Sequence, residues 1–403
     1  MKITSIILSA ISIITLYPLS HLNAQFCTSN HRFTEVEYFN SAQIDSSMEV
    51  VYAIYNGNEE LAMDIYYPDS TIDNLSKRPF IMLFHGGGYI AGNRRLMRNT
   101  CFEFAKRGFV TATVSHRFGT GPGINLDAIY RAEQDAHAAV RYLVQHADSY
   151  GIDTAWIFTG GESSGANISL AMPYTDQGDW DFINAALSAT YGGLYTSGND
   201  LTNTYSIKGV LNNWGSLLAP SFDSLRNVAI ISFHGEQDPI IDIDLDSSIF
   251  RGGSRWIYQA TTNFGHCNSL TVDSLGSHGV YQGLDGLNFR VTKASCFFKS
   301  VFCEGCTSIS TFDPIPPSCS IKTSVYEKTS NRELSVFPNP FFDNIQIAGL
   351  TGNESFVLFN MLGHRISSGG ISSALSLDHL APGIYFLNIY SEEYAQTIKL
   401  IKN

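Results

Sequence analysis

Four short stretches of this chain are apolar or β-branched almost without a break: residues 79–84 (PFIMLF), 109–114 (FVTATV), 156–158 (WIF) and 228–233 (VAIISF). A strand with one wet face alternates apolar and polar residues, whereas continuous runs suit strands covered on both faces. Helical periodicity lies between them. Over residues 127–147, Ile129, Ala132, Ala136, Val140, Leu143 and Val144 recur at spacings of three and four and form one face. Arg131, Gln134, Asp135 and Arg141 lie away from it. Strands alternating with such helices imply an α/β architecture, a mostly parallel sheet flanked by helices across residues 30–310. In such sheets ligands bind at the carboxyl ends of the strands. Residues 49–56 and 60–67 read as an earlier antiparallel pair turning at Asn56-Gly57-Asn58.

Both ends of the chain differ from this pattern. Lys2, a mostly apolar stretch over 3–19 and Leu22-Asn23-Ala24 before Gln25 read as a cleaved secretory signal over residues 1–24. A membrane anchor is the alternative, opposed by Pro18 and by the shortness of the stretch. A lipid on Cys27 is opposed by the bulk of Phe26. No later segment is apolar enough to span a bilayer, so the mature chain is expected to have no integral membrane segment. The main domain is expected over 25–308 and a linker over 309–333, rich in proline and then polar. Residues 334–336, 344–347, 355–360, 384–389 and 397–401 read as short strands of a small all-β sandwich covering 334–403.

The net charge is −12, which disfavours nucleic acid and anionic lipid as partners. Seven cysteines are present, and export permits disulfides. Cys296, Cys303, Cys306 and Cys319 suggest a local staple at the end of the main domain, with an odd thiol left over. Cys303 and Cys306 are spaced like half a zinc site, but no second ligand pair follows, so no metal is expected. Asp242, Asp244 and Asp246 alternate like calcium ligands without the glycine that turns such a loop, and read as a solvated edge.

Gly161-Glu162-Ser163-Ser164-Gly165 lies between a strand and a helix beginning near Ile168. A serine on so sharp a turn needs small neighbours and is thrust out at the top of the sheet. His85-Gly86-Gly87-Gly88-Tyr89 directly follows another strand. Three consecutive glycines let backbone N–H groups converge on one developing oxyanion. A phosphate loop would want a Lys-Ser/Thr and a helix start, which are missing here. His85 reads as a support for the loop.

A serine nucleophile needs a base, and the base needs an orienting carboxylate. Asp238 sits just past the strand at 228–233, with Glu236 as its competitor. His278 follows the strand expected over 269–275, whereas His266 precedes it. Position favours His278, with His266 the alternative base.

Together these motifs resemble the carboxylesterase and hormone-sensitive-lipase-like branch of the α/β-hydrolases, and its feruloyl and acetyl-xylan esterases, over roughly residues 35–305. The resemblance implies Ser163 as nucleophile, Asp238 as acid and His278 as base. It also implies an oxyanion hole from the Gly87, Gly88 and Ser164 N–H groups, an ester substrate and no cofactor. The spacing from Asp238 to His278 is longer than that family leads one to expect, which keeps His266 open. Rival readings are a serine peptidase on the same fold and a non-catalytic binding protein. Val336-Phe337-Pro338-Asn339-Pro340, Pro382-Gly383-Ile384-Tyr385 and a lysine-containing terminus resemble a type IX secretion C-terminal sorting domain. That implies export through the periplasm, contact with the secretion machinery, and a secreted or cell-surface location. Trp180, Phe182, Tyr191, Tyr195 and Trp214 are candidates either for an acyl or aryl pocket or for the core of a cap.

Overall fold

The computed structural model describes residues 26–27, 31–119, 125–222, 224–303, 306, 309–310, 334–352, 354–360, 365–390 and 395–403. The expected signal over 1–24, nearly all of the expected linker and Cys319 lie outside these residues. Contacts divide the chain into two units, residues 1–312 and 313–403.

In the first unit the strands are β1 (Ile44–Tyr55), β2 (Glu59–Pro68), β3 (Arg78–Phe84), β4 (Val110–Val114), β5 (Ile152–Glu162), β6 (Ile207–Asn213), β7 (Leu217–Leu218), β8 (Ala229–Gly235), β9 (Leu245–Asp246), β10 (Arg251–Gly252), β11 (Asn268–Asp273) and β12 (Ile309–Ser310). The helices are α1 (Arg98–Lys106), α2 (Leu126–Gln145), α3 (Ala147–Tyr150), α4 (Ser164–Tyr174), α5 (Gln177–Asn184), α6 (Ala186–Tyr191), α7 (Ser254–Asn263) and α8 (Gly283–Cys303). Nine strands form one sheet in the order β1-β2-β4-β3-β5-β6-β8-β11-β12. β1 and β2 pair antiparallel, as do β2 and β4. Every pair from β4 to β12 is parallel.

The central strands β3, β4 and β8 are buried at every position, as their unbroken apolar runs require. One core unites Met82, Phe84 and Ala112 with Ala136 and Val140 of α2 and Ile168 of α4. The other unites Ile81, Leu83 and Phe158 with Phe104 of α1 and Phe298 of α8. Burial of this apolar area is the main stabilising term.

Two sequence expectations need correction here. Gln134, Asp135 and Arg141 of α2 lie off its apolar face but are nonetheless buried, Gln134 and Arg141 under residues 191–199 and Asp135 under Tyr55 and Arg117. Gln134 Nε2 donates to Gly192 O (2.9 Å) and Ser197 Oγ (2.8 Å), and Asp135 pairs with Arg117 at 2.8 Å. Burial is tolerable because these groups find partners. The two disulfides between described residues are also not local. Cys27 joins Cys303, and Cys267 joins Cys306. The cause is packing: α8 ends beside the N-terminal segment, where Phe26, Phe33 and Phe302 meet edge to face. Cys296 is also disulfide-bonded. Among the described residues the free thiol is Cys101, which is buried.

The second unit comprises β13 (Ser335–Phe337), β14 (Asn344–Ala348), β15 (Ser355–Asn360), β16 (Arg365–Gly370), β17 (Ala374–Ser376), β18 (Gly383–Tyr390) and β19 (Ala395–Lys402). They form two antiparallel sheets, β13-β14-β17 and β16-β15-β18-β19. Ile345, Ile347, Leu358, Leu387 and Leu400 from both sheets share one core, which makes a small sandwich. β16 and β17 were not anticipated; the Ser-Ser-Gly-Gly of β16 reads as loop until a partner strand fixes it.

Candidate active site

The carboxyl ends of β3, β5, β8 and β11 lie along one edge of the sheet, and each is followed by a loop carrying a residue of interest. Ser163 occupies the junction of β5 and α4 with φ +54°, a conformation rare for a residue with a side chain. Its N–H donates to Asn213 O and its carbonyl accepts from Asn167 N, both at 3.0 Å. The flanking glycines are needed for space. A Cβ on Gly165 would lie 2.1 Å from Phe84 O, and one on Gly161 would lie 2.4 Å from the Gly165 carbonyl carbon.

Ser163, His278 and Asp238 are brought together. The His278 Nε2 to Ser163 Oγ distance is 2.8 Å, and His278 Nδ1 to Asp238 Oδ2 is also 2.8 Å. With the Asp238 carboxylate as acceptor, Nδ1 carries the ring hydrogen and Nε2 accepts from the serine hydroxyl. Asp238 has no exposed side-chain surface. Burial alone would raise its pKa. Donors from His234, the Ile241 and Ile240 amides and His278 outweigh burial and hold the carboxyl well below the usual range.

The other candidates lie elsewhere. Glu236 pairs with Arg255. His266 sits before β11, at the far end of that strand, with Nε2 3.1 Å from Ser224 O. It is buried. His85 is buried and stacks on His116 at 4.5 Å, a support for its loop. Gly87 has φ +130°, and a Cβ there would overlap Ala91 O. The Gly88 N–H donates to Ser164 Oγ at 3.0 Å, which ties this loop to the start of α4.

Sequence reasoning missed two residues. His234, fully buried at the end of β8, places Nε2 3.2 Å from Asp238 Oδ2 and 3.0 Å from Ile241 O. Its Nδ1 is 2.6 Å from Ser254 Oγ. It is the first residue of the His-Gly-Glu-Gln-Asp motif, so a signal was present. Arg290 of α8 binds Glu162 Oε1 at 2.9 Å and lies 4.9 Å from the Trp214 ring, bracing the residue before Ser163. Nothing in its neighbourhood of sequence announces this.

Ser163, Ser164 and Gly88 open onto a cavity of about 360 Å³. Its wall is Tyr89, Ile90, Ile129, Ile240, Ile241 and Ile249, with Arg251, Asp242 and Asp246 as the charged members. Asp242 and Asp246 therefore face a cavity, not only solvent. The aromatic candidates do not line it. Trp180 packs in a separate core with Tyr130, Leu187 and Leu194, while Phe182 is 92% exposed. Trp214 is buried with its ring 6.5 Å from that of His278. Behind Tyr89, Glu133 of α2 accepts from Trp180 Nε1 at 2.7 Å, and burial pushes its carboxyl up to about 8.

The parallel sheet with its antiparallel start, the strand–serine–helix turn and the loops after β8 and β11 define an α/β-hydrolase fold. Residues 63–217 match the BD-FAE family model, and residues 335–403 match the secretion system C-terminal sorting domain. The esterase LipI of Mycobacterium tuberculosis is 31% identical over 108 residues, which is 27% of this chain and 32% of LipI. The chain thus spans about a third of the length of that curated relative. The butyrate-bound structure of Thermogutta terrifontis esterase 2 superposes with a TM-score of 0.50 at 19% identity. The superposition covers 66% of this chain and 98% of that one. One segment of the chain is thus similar to the BD-FAE family and another to a secretion system C-terminal sorting domain, and the latter indicates a place at the cell surface or in the extracellular space. Among the described residues no helix is long and apolar enough to cross a membrane.

Proposed function

We propose that this chain is an exported serine carboxylesterase, with a catalytic domain over 25–308 and a sorting domain over 334–403 that engages type IX secretion machinery. One observation carries the reading: Ser163 Oγ, His278 and Asp238 form an unbroken hydrogen-bonded chain, with the serine at the floor of an apolar cavity. His278 Nε2 takes the Ser163 proton as the oxygen attacks the ester carbonyl. Asp238 holds the imidazole in the required tautomer and stabilises the imidazolium that forms. The N–H groups of Gly87, Gly88 and Ser164 receive the oxyanion, and Gly88 exchanges its Ser164 Oγ contact for it. The protonated His278 then gives its proton to the leaving alcohol, and water reverses the cycle through the acyl-enzyme. The esterase name of LipI, 31% identical over 108 residues, supports this chemistry.

The isoleucine-walled cavity suits a compact acyl or aryl group, and export suits acyl, acetyl or feruloyl esters of external polymers. A panel of nitrophenyl esters, with acetylated and feruloylated oligosaccharides beside it, tests the reading. Activity should vanish in Ser163→Ala, and a fluorophosphonate probe should label Ser163. Undiminished hydrolysis by Ser163→Ala would overturn it.

A further inference from the structure

Arg251 of β10 is the cationic residue in the wall of the cavity at Ser163. Ser216 holds two of its nitrogens: Nε donates to Ser216 Oγ at 2.9 Å and Nη2 to Ser216 O at 2.8 Å. Nη1 has no hydrogen-bond partner among the described residues, and the atom is not sealed from solvent. The guanidinium makes no ion pair among those residues either. A line of contacts joins it to the nucleophile. Asn167 N donates to Ser163 O at 3.0 Å, and Asn167 Oδ1 accepts from Ser216 N at 2.6 Å. Arg251 is thus tied to α4 one helical turn, about 5 Å, beyond Ser163. Past Arg251 the space nearly closes: a chamber of about 10 Å³ follows, walled by the same Tyr89, Ile129 and Asn167, with room for about one water.

The groups around this guanidinium leave its charge open. Glu133 lines the small chamber, but burial pushes its carboxyl up to about 8, so it is mostly uncharged at neutral pH. Asp246 faces Arg251 across β9 and β10, yet its Oδ1 accepts from the Ser248 N–H and hydroxyl of its own turn. Asp242 is exposed, and its Oδ1 accepts from Asp244 N at 2.9 Å. Water screens both carboxylates, so they weaken the pull of Arg251 on an anion without cancelling it. The rest of the wall is chiefly Ile90, Ile129, Ile240, Ile241 and Ile249, which shelter methylenes and offer no side-chain hydrogen bond. An apolar space with an open guanidinium N–H at its closed end fits an apolar chain that ends in an anion.

We propose that Arg251 selects half-esters of short dicarboxylic acids, its Nη1 receiving the free carboxylate while the acyl methylenes lie along the isoleucines and the ester carbonyl meets Ser163. A reach of one helical turn and the side chains beyond it suits a diacid of about four to six carbons. Ser163 displaces the alcohol, and water then frees the diacid from the acyl-enzyme. The assignment rests on the esterase reading and adds to it the class of acyl group. A neutral aliphatic ester fills the same walls but leaves the guanidinium N–H unanswered, and so is the poorer substrate.

Rates of acid release from three esters of equal acyl length, measured on the full chain, test it: monoethyl glutarate, its neutral amide isostere ethyl glutaramate, and ethyl pentanoate. The kcat/KM of monoethyl glutarate should exceed that of either other ester at least about tenfold, with most of the difference in KM. Arg251→Gln should cut that ratio to about one. Should Arg251→Gln fail to fold, Asp246→Asn decides: loss of the facing carboxylate should raise the ratio about two- to threefold. Equal or better hydrolysis of ethyl pentanoate by the wild type would overturn the proposal and leave the esterase reading standing. So would a ratio unchanged in Arg251→Gln or, in its place, in Asp246→Asn. If none of the three esters is hydrolysed the proposal also falls, and labelling of Ser163 by a fluorophosphonate then shows whether the esterase reading falls with it.

Discussion

His234 and His278 converge on the same oxygen of Asp238, at 3.2 Å and 2.8 Å. His234 approaches from beneath, at the end of β8, and is itself anchored by Ser254, whose hydroxyl accepts from Asn212 Nδ2 at 3.0 Å. With two acceptors facing Nε2, that nitrogen carries the hydrogen and Nδ1 accepts from Ser254. His234 is thus a positioning residue for the acid.

Replacing His234 by Ala should lower kcat about ten- to hundredfold with KM little changed, the usual cost of losing a supporting hydrogen bond. The acidic limb of the kcat/KM profile should also move to higher pH, because a less satisfied Asp238 is a more basic partner for His278. A variant that merely destabilised the fold would leave the profile of its active fraction in place.

Asp238→Asn should be more severe. An amide at that position accepts poorly and favours the wrong imidazole tautomer, so kcat should fall by roughly 10³ to 10⁴. The same residue sets a stability effect. Its folded pKa lies below the unfolded value of about 3.9, so its stabilisation is complete above that pH and is lost as pH falls further. Urea midpoints of wild type and Asp238→Asn should therefore differ most above about pH 5 and draw together progressively as pH falls from there towards the depressed folded pKa.

Glu133 titrates in the opposite sense. Its folded pKa, about 8, exceeds the unfolded value, so the native state is favoured at low pH and loses that advantage as pH rises towards 8. Glu133→Gln keeps an acceptor for Trp180 Nε1 and removes the titration. Its melting temperature at pH 8 should exceed that of wild type by about 2 °C or more, with a smaller difference at pH 5.

Thiol chemistry tests the packing of α1. Cys101 is buried and its thiol is pushed up by burial. Iodoacetamide should leave it unmodified in the native protein and alkylate it once the chain is unfolded without reductant. Non-reducing peptide maps should recover Cys27 with Cys303 and Cys267 with Cys306.

Much of the main sheet was legible because central strands are written in continuous apolar runs. The residues 79–84 run became β3 of Arg78–Phe84, and the 228–233 run became β8 of Ala229–Gly235. The proximity of Ser163, Asp238 and His278 could be anticipated because each follows a strand whose end was visible, and parallel strands bring such ends together. What was hidden depended on contacts remote in sequence. Gln134 and Arg141 look solvated until residues 175–201 cover them. The sequence left the aromatic residues of that segment open between pocket lining and core, and Trp180 packs in a core against Tyr130. The cavity wall comes instead from Ile90, Ile240, Ile241 and Ile249 in the loops after β3 and β8, which no periodicity marks, together with Ile129 of α2, which the helical pattern did mark.

The bond between Cys27 and Cys303 closes a loop across 276 residues, nearly the whole first unit. The bond can form only once the chain has been made as far as the end of α8, which follows every strand of the main sheet except β12. A chain cut short before α8 lacks the native partner of Cys27. The oxidised bond is thus a mark that separates chains complete through α8 from shorter ones.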